Sequence, residues 1–321
     1  MAELSNMVTN DTIRPETLSI HGPIISTNDL DAHVALFAAF GLEEVARSER
    51  SVEETRAIWG INSHESSEVT LATAGTPFGV RLVRFDPAGG DQIRDPSRGS
   101  DCDALKVIDF YAPDLPAARA SIERAGFMFK PETADYDTPE GRYQEAHLWG
   151  PDGVVCALIS GDPALFTDLA TVRDRLVSEP QSISGPVQDA AATLAFFDRV
   201  LGLGVIHQYG LEDASFDAMV GSATQLRLRA WNVGTRKSAP YFGVIDYGLP
   251  AGSQQSLHAA ARPPRRGLLG ATVRVRDAGA VATAAGGTTV NVDVPGFGAS
   301  VLATVQGSNG AWYQAIEQIS G

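Results

Sequence analysis

The chain is short of cysteine: Cys102 and Cys156 are the only two among 321 residues. Two thiols cannot build a disulfide framework or a cysteine-based zinc site. Basic residues are scarce too, with 25 Lys plus Arg against 39 Asp plus Glu and a formal net charge of -14. A chain this acidic, with no long basic run, is a poor partner for nucleic acid or an anionic membrane surface. No apolar run approaches the ~18 residues of a membrane span, and Met1 to Arg14 is polar, without the apolar stretch of a signal peptide. A Gly-rich phosphate loop, a cysteine nucleophile motif and a Gly-x-Ser-x-Gly elbow are also missing. What is left is a globular chain, expected in the cytoplasm, whose length suits about two domains.

What the chain does have is a repeat. Residues 1–17 read as a polar arm. Then Leu18–Ile25 forms a strand, Ser26-Thr27-Asn28-Asp29 supplies helix-capping residues, and Leu30–Phe40 follows with helical spacing up to Gly41. Strand-like pieces near Glu43–Arg47, Glu68–Thr73 and Gly79–Phe85 complete a unit of strand, helix and three strands. The order restarts at Leu105, with Asp114 and Gly126 bounding a helix, at Ser182, with Asp189 and Gly202, and at Leu268, with Asp277 and Gly286. From Asp to Gly the spacing is twelve, twelve, thirteen and nine residues. That regularity outweighs any single strand assignment. Asp162–Leu176 reads as a linking helix, so the halves are set at 18–161 and 181–321 with a linker at 162–180. Thr235–Arg266 reads as an insertion holding a strand at Tyr241–Tyr247 and a basic, solvated Arg262–Arg266 loop.

Four successive βαβββ units resemble the vicinal oxygen chelate superfamily, the fold of glyoxalase I, bleomycin-resistance proteins and type I extradiol dioxygenases. The local match is Leu148-Trp149-Gly150-Pro151-Asp152-Gly153-Val154, similar to the family turn F-x-D-P-D-G-N, with Gly307–Ala311 a degenerate copy. The resemblance implies an α+β fold in which the modules form two curved, mixed-sheet half-barrel domains, each a cup around a cavity. It also implies metal-ligand positions on each module's first and last strands. Here they fall at Gly22 (beside His21), Val107, Ser182 and Gly270, and at Val83, Ala157, Arg229 and Gln314. Only His21 and Gln314 can ligate, with Glu317 available to a shifted register. A catalytic divalent site takes about three such ligands, so no cofactor and no metal are expected.

Strand alternation sets which side chains face a cup. If Leu18, Ile20 and Ile24 face the helices, His21 and Ile25 face the cavity. The same rule turns Arg81 inward beside Val80 and Leu82, and Asp109 and Tyr111 inward beside Ile108 and Phe110. It also turns Tyr143, Glu145, His147 and Trp149 inward beside Ala146 and Leu148. His147 is the leading candidate for acid/base work, because an unperturbed imidazole titrates near neutrality. His21, Glu145, Tyr143 and Asp109 complete the catalytic candidates, while Arg81, Tyr111 and Trp149 would bind substrate. With Leu226 and Leu228 outward, Arg227 and Arg229 would point inward beside Trp231, joining Trp312 and Gln314 as binding groups. The same arginines on an exposed edge would simply pair with acids. Asp213 and Asp217 read as loop residues.

The expected function is metal-independent lyase or isomerase chemistry on a small oxygenated compound, aromatic ones included. Two alternatives stand beside it. One is a binding protein that sequesters a drug-like ligand. The other is an extradiol-type dioxygenase holding Fe or Mn through His21, His147 and Glu145. The expected partner is a small molecule, with no nucleic acid and no membrane, and a homodimer is compatible. Whether the units pair one with two or one with four stays open at this level.

Overall fold

The structure is a computed structural model that describes residues 14–95, 97–236 and 240–319. Most of the arm expected before residue 18 lies outside the described residues. The first unit comprises β1 (Thr17–Ser26), α1 (Leu30–Ala39), β2 (Leu42–Arg50), α2 (Val52–Trp59), β3 (Glu65–Thr73) and β4 (Gly79–Asp86). The second holds β5 (Val107–Tyr111), α3 (Leu115–Arg124), β6 (Phe129–Thr138), β7 (Gly141–Trp149) and β8 (Val155–Gly161). The third holds β9 (Pro180–Pro186), α4 (Ala190–Leu201), β10 (Gly204–Leu211), α5 (Ala214–Val220), β11 (Leu228–Gly234) and β12 (Tyr241–Asp246). The fourth holds β13 (Gly267–Val275), α6 (Ala278–Ala285), β14 (Thr289–Val294), β15 (Gly298–Gln306) and β16 (Trp312–Gln318).

The four repeat helices begin as the spacing predicts. Asp29, Asp114, Asp189 and Asp277 are their N-caps, and each carboxylate accepts the backbone N–H three residues on, at 2.8–3.0 Å. Two helices were not expected. Ser51 and Glu54 form a capping box that starts α2. Asp213, read as a loop residue, caps α5 by accepting from Ser215 and Phe216, while Asp217 of α5 accepts the N–H of Leu226. The linking helix at 162–176 reduces to a short 3-10 turn at Leu165–Asp168. A continuing helix would need the N–H groups of Thr171 and Val172, and the carboxylate of Glu179 takes both. Tyr241–Asp246 is the closing strand of the third unit rather than part of an insertion, since β12 runs parallel to β9 in one sheet.

Two eight-stranded mixed half-barrel sheets result. One runs β14-β15-β16-β13-β1-β4-β3-β2 and the other β10-β11-β12-β9-β5-β8-β7-β6. Unit one therefore pairs with unit four, through β1 and β13, and unit two with unit three, through β5 and β9. The sequence halves 18–161 and 181–321 do not each make one sheet. Both contribute one unit to each. The connectors that cross between sheets, after β4 and after β12, bond to each other. Cys102 and Leu257 exchange with Gln255 and Cys102 at 2.9 and 2.8 Å, and Ile93 and Arg266 with Arg266 and Asp91 at 2.8 and 2.9 Å. Buried Arg94 gathers the carbonyls of Asp101, Asp103 and Leu105 beneath them.

One large apolar cluster joins the helix-facing sides of both sheets. Phe40, after α1, meets Phe110 of the other sheet at 4.7 Å, and Phe197 of α4 meets Tyr313 of the other sheet at 5.5 Å. The repeat helices thus cover the helix-facing side of each sheet and leave its other side as a cup. Among the described residues no helix is long and apolar enough to cross a membrane.

Candidate functional site

The cup of units one and four is filled. Ile58 and Trp59 of α2 pack with Ile24, Val83, Phe85, Leu302 and Ile316 across its sheet. In its middle the buried Arg81 guanidinium donates to Thr272 at 3.3 Å, to Gln314, and to Glu68 at 3.2 Å, and Arg50 adds a second cation 3.4 Å from the same Glu68 oxygen. His21 stands 2.6 Å from the Pro77 carbonyl through Nδ1 and meets Phe297 edge-on. Burial, with Arg81 and Arg274 adding to it against the Pro77 bond, pushes the imidazole of His21 down to about 4. Such a ring stays neutral near pH 7. Ile24 faces this cup instead of the helices, because β1 carries irregularities against β13 between Ile20 and Gly22 and between Ile24 and Ile25.

The cup of units two and three holds the ionisable cluster. Ala146 and Leu148 of β7 and Ile108 and Phe110 of β5 sit in the helix-facing core, so alternation turns Glu145, His147 and Asp109 into the cup. His147 stands opposite Ala157 of β8, which stands opposite Asp109 of β5, which stands opposite Ser182 of β9. Ala157 is small, and it leaves room above the sheet between the imidazole and the carboxyl. His147 is 2% exposed with Nε2 2.8 Å from Glu145 Oε1, and Tyr136 donates to Glu145 Oε2 at 3.1 Å. Asp109 accepts from Ser182 and, at 3.4 Å, from Ser184. Burial first, and the charge of Glu145 second, raise the Asp109 carboxyl to about 7 against the pull of the two serines. Burial also keeps the phenols of Tyr136, Tyr209 and Tyr241 protonated well past neutrality.

Two adjoining cavities of about 70 Å³ each occupy this cup. Asp109, Glu145, His147, Ser182 and Lys106 line one, Tyr143, Phe166 and His207 line the other, and Tyr136, Tyr209 and Tyr241 stand in the wall between. Phe216 and Val220 of α5 close the first from the side. A drug-sized pocket measures on the order of 300–1,000 Å³, so a ligand beyond a few atoms requires α5 or the tyrosine wall to move.

The remaining candidates separate. His21, Arg81, Trp312 and Gln314 belong to the other cup, where Trp312 donates to the Ala261 carbonyl at 2.8 Å. Tyr111 is stacked on Phe166 at 3.9 Å and lines neither cavity, and Trp149 lies under Lys130, 4.8 Å from its ring centre. Arg227 and Arg229 are exposed, the latter 2.6 Å from Asp246, and Trp231 packs toward the helices. Their frame inverts because Leu228 faces into the cup, against Phe216 of α5. Lys106, Tyr136, Tyr209, Asn232 and Tyr241 line the site without having been singled out; the alternation of His207 with Tyr209 was the available signal.

Chains of known structure share this arrangement. Glyoxalase I of Zea mays superposes with a TM-score of 0.58 at 14% identity, over 94% of this chain and 92% of that one. A Bacillus subtilis protein assigned as a dioxygenase does so with a TM-score of 0.54 at 10% identity, over 95% and 87%. The chain has the vicinal oxygen chelate fold. No protein-family model and no curated protein matches it.

The metal positions implied by this fold carry the wrong donors in both cups. In cup one–four the last-strand position, Gln314, and its neighbour Thr272 both accept from the Arg81 guanidinium, so they are committed to a cation of the protein's own. In cup two–three the last-strand position is Ala157, while Glu145 and His147 are bonded to each other and Asp109 to serines. Among the described residues no three His, Cys, Asp or Glu groups converge as ligands. The dioxygenase triad of His21, His147 and Glu145 is divided between the two cups, with His21 in the first and the others in the second.

Proposed function

We propose that cup two–three is the active site of a metal-independent lyase or isomerase acting on a small oxygenated compound. One observation carries this reading: the buried carboxyl of Asp109 shares a cavity with a carboxylate-backed imidazole, and burial raises that carboxyl to about 7. Titratable groups whose surroundings set them to opposite tasks are the mark of an acid and a base at work. With Nε2–H donated to Glu145, His147 carries its lone pair on Nδ1 and takes a proton from the carbon next to a carbonyl. Asp109 and the Tyr209 hydroxyl donate to the oxygen on which charge then develops. Lysozyme-type division of roles between two carboxyl groups is the general pattern, here with an imidazole as base.

The test is proton exchange. Small carbonyl and phenolic compounds incubated with the protein in D₂O should gain deuterium at one carbon, with a chelator making no difference. Replacing His147 by Ala should slow exchange about 10²-fold or more while the melting transition stays cooperative. Exchange that needs added iron or manganese would overturn the metal-independent reading. The aromatic wall of Tyr136, Tyr143, Tyr209 and Tyr241 favours a second reading, a ligand-sequestering protein. That reading requires tight binding with no exchange and no response to His147→Ala.

A further inference from the structure

We infer that Lys106 is a covalent catalytic residue of the same cavity, forming an imine with a carbonyl substrate. This rests on cup two–three being the active site, and it narrows the substrate to a small aldehyde or ketone.

The chain has only three lysines, Lys106, Lys130 and Lys237, against 22 arginines, so a cation is almost always supplied by a group that cannot lose its proton. Lys106 is the exception placed in the cavity wall. It is 3% exposed and shares that wall with Asp109, Glu145 and His147. Its Nζ donates to the Gly99 carbonyl at 2.5 Å and to the Tyr247 hydroxyl at 3.1 Å, both uncharged acceptors. Neither acceptor carries a charge that would favour the ammonium form. The apolar neighbours Ile245, Leu228, Phe216 and Val220 line the same cavity. Desolvation in such a pocket is how a lysine becomes a nucleophile. Burial, followed by repulsion from Arg94 and Lys130, lowers the amine to about 7, so a large share of it is neutral near pH 7.

The step balances without an added reagent. Nζ attacks the carbonyl carbon, the two amine hydrogens leave with the carbonyl oxygen as water, and C=N replaces C=O with no change of oxidation state. Protonated, the imine draws electrons from the adjacent carbon, and that is the position from which His147 removes a proton.

Sodium borohydride trapping tests this directly. The protein incubated separately with pyruvate and with 4-hydroxybenzaldehyde, then reduced, should gain one adduct mass, and peptide mapping should place it on Lys106. Lys106→Arg should abolish the adduct, and Lys130→Arg should not change it. Should Lys106→Arg fail to fold, the mapped peptide of the unaltered protein decides. A label confined to Lys130, Lys237 or the amino terminus, unchanged labelling of Lys106→Arg, or no adduct with either probe overturns the inference. The two claims fail separately. Deuterium exchange that is lost in His147→Ala but accompanied by no adduct sinks the lysine alone. An adduct on Lys106 with exchange untouched by His147→Ala sinks the acid/base reading of the cup.

Discussion

Asp109 concentrates the physics of the site in one carboxyl. Its value of about 7 against an ordinary 3.8 means that, between those limits, the folded chain holds a proton the unfolded chain has released. Stability from this group is therefore complete below about pH 4 and is lost as the pH rises through about 7, by at most about 4 kcal/mol. Asp109→Asn removes the titration while keeping a polar partner for Ser182. Thermal unfolding should show the variant gaining on the parent protein between about pH 4 and pH 8, and parallel curves would refute the raised value. In the same variant the limb of kcat/KM that descends near neutrality should disappear along with most of the activity. Asp152 works in the opposite sense. Its backbone is left-handed, at φ 56°, and its carboxylate receives Arg266 at 2.7 Å, Thr27 at 2.6 Å and the fully buried His33 at 3.1 Å. These bonds, with His33 and Thr27 leading, outweigh burial and hold the acid below its usual range. Asn accepts the left-handed backbone, so Asp152→Asn isolates the charge. It should cost about 2–4 kcal/mol at neutral pH, and the gap should close as acid protonates the native carboxylate below 3.8.

At the scale of elements, α5 decides what the cup admits. Phe216 lies edge-on to Tyr136 at 6.1 Å and forms part of the wall of the first cavity. Phe216→Ala should enlarge that cavity and cost about 3 kcal/mol. It should raise relative activity toward bulkier compounds, measured as a ratio of kcat/KM values. A variant that loses stability without changing that ratio would make α5 a structural cover only. The corresponding helix of unit one, α2, fills its own cup with Ile58 and Trp59. Each cup thus carries one inserted helix, and the side chains that helix brings set how far the cup is filled. Neither helix was read beforehand, since both lie in stretches that a unit of strand, helix and three strands leaves to strands and their connections. The Asp213 cap was the signal overlooked. The frame of β7 was legible because Ala146 and Leu148 alternate cleanly with Glu145 and His147. That of β11 inverted because apolar Leu228 covers α5 on the cup side.

For the whole molecule, the pairing of units governs folding. β1 needs β13 and β5 needs β9, and each partner comes from the other half of the chain. Residues 14–161 expressed without 178–319 should therefore leave sheet edges open and be recovered unfolded or aggregated. Coexpression of the two segments should restore a soluble complex with one cooperative melt. A stable, cooperatively folding first half alone would contradict the observed sheet order.

Sequence alone determined the four units, their caps and the inward row of Tyr143, Glu145 and His147. Those follow from local rules: an Asp carboxylate that accepts the backbone N–H three residues on, and side chains that alternate along a strand. It could not determine which unit meets which. The three connectors run 20, 18 and 20 residues between strands, so their lengths do not tell a crossing from a continuation. The backbone edge of a first strand offers the same donors to any partner. Tertiary contacts made the choice, through hydrogen bonds between the two crossing connectors and the Asp152, Arg266 and His33 network that ties units one and two to the connector after β12. That choice separated His21 from His147, brought Ser182 to Asp109, and left one cup filled and the other open.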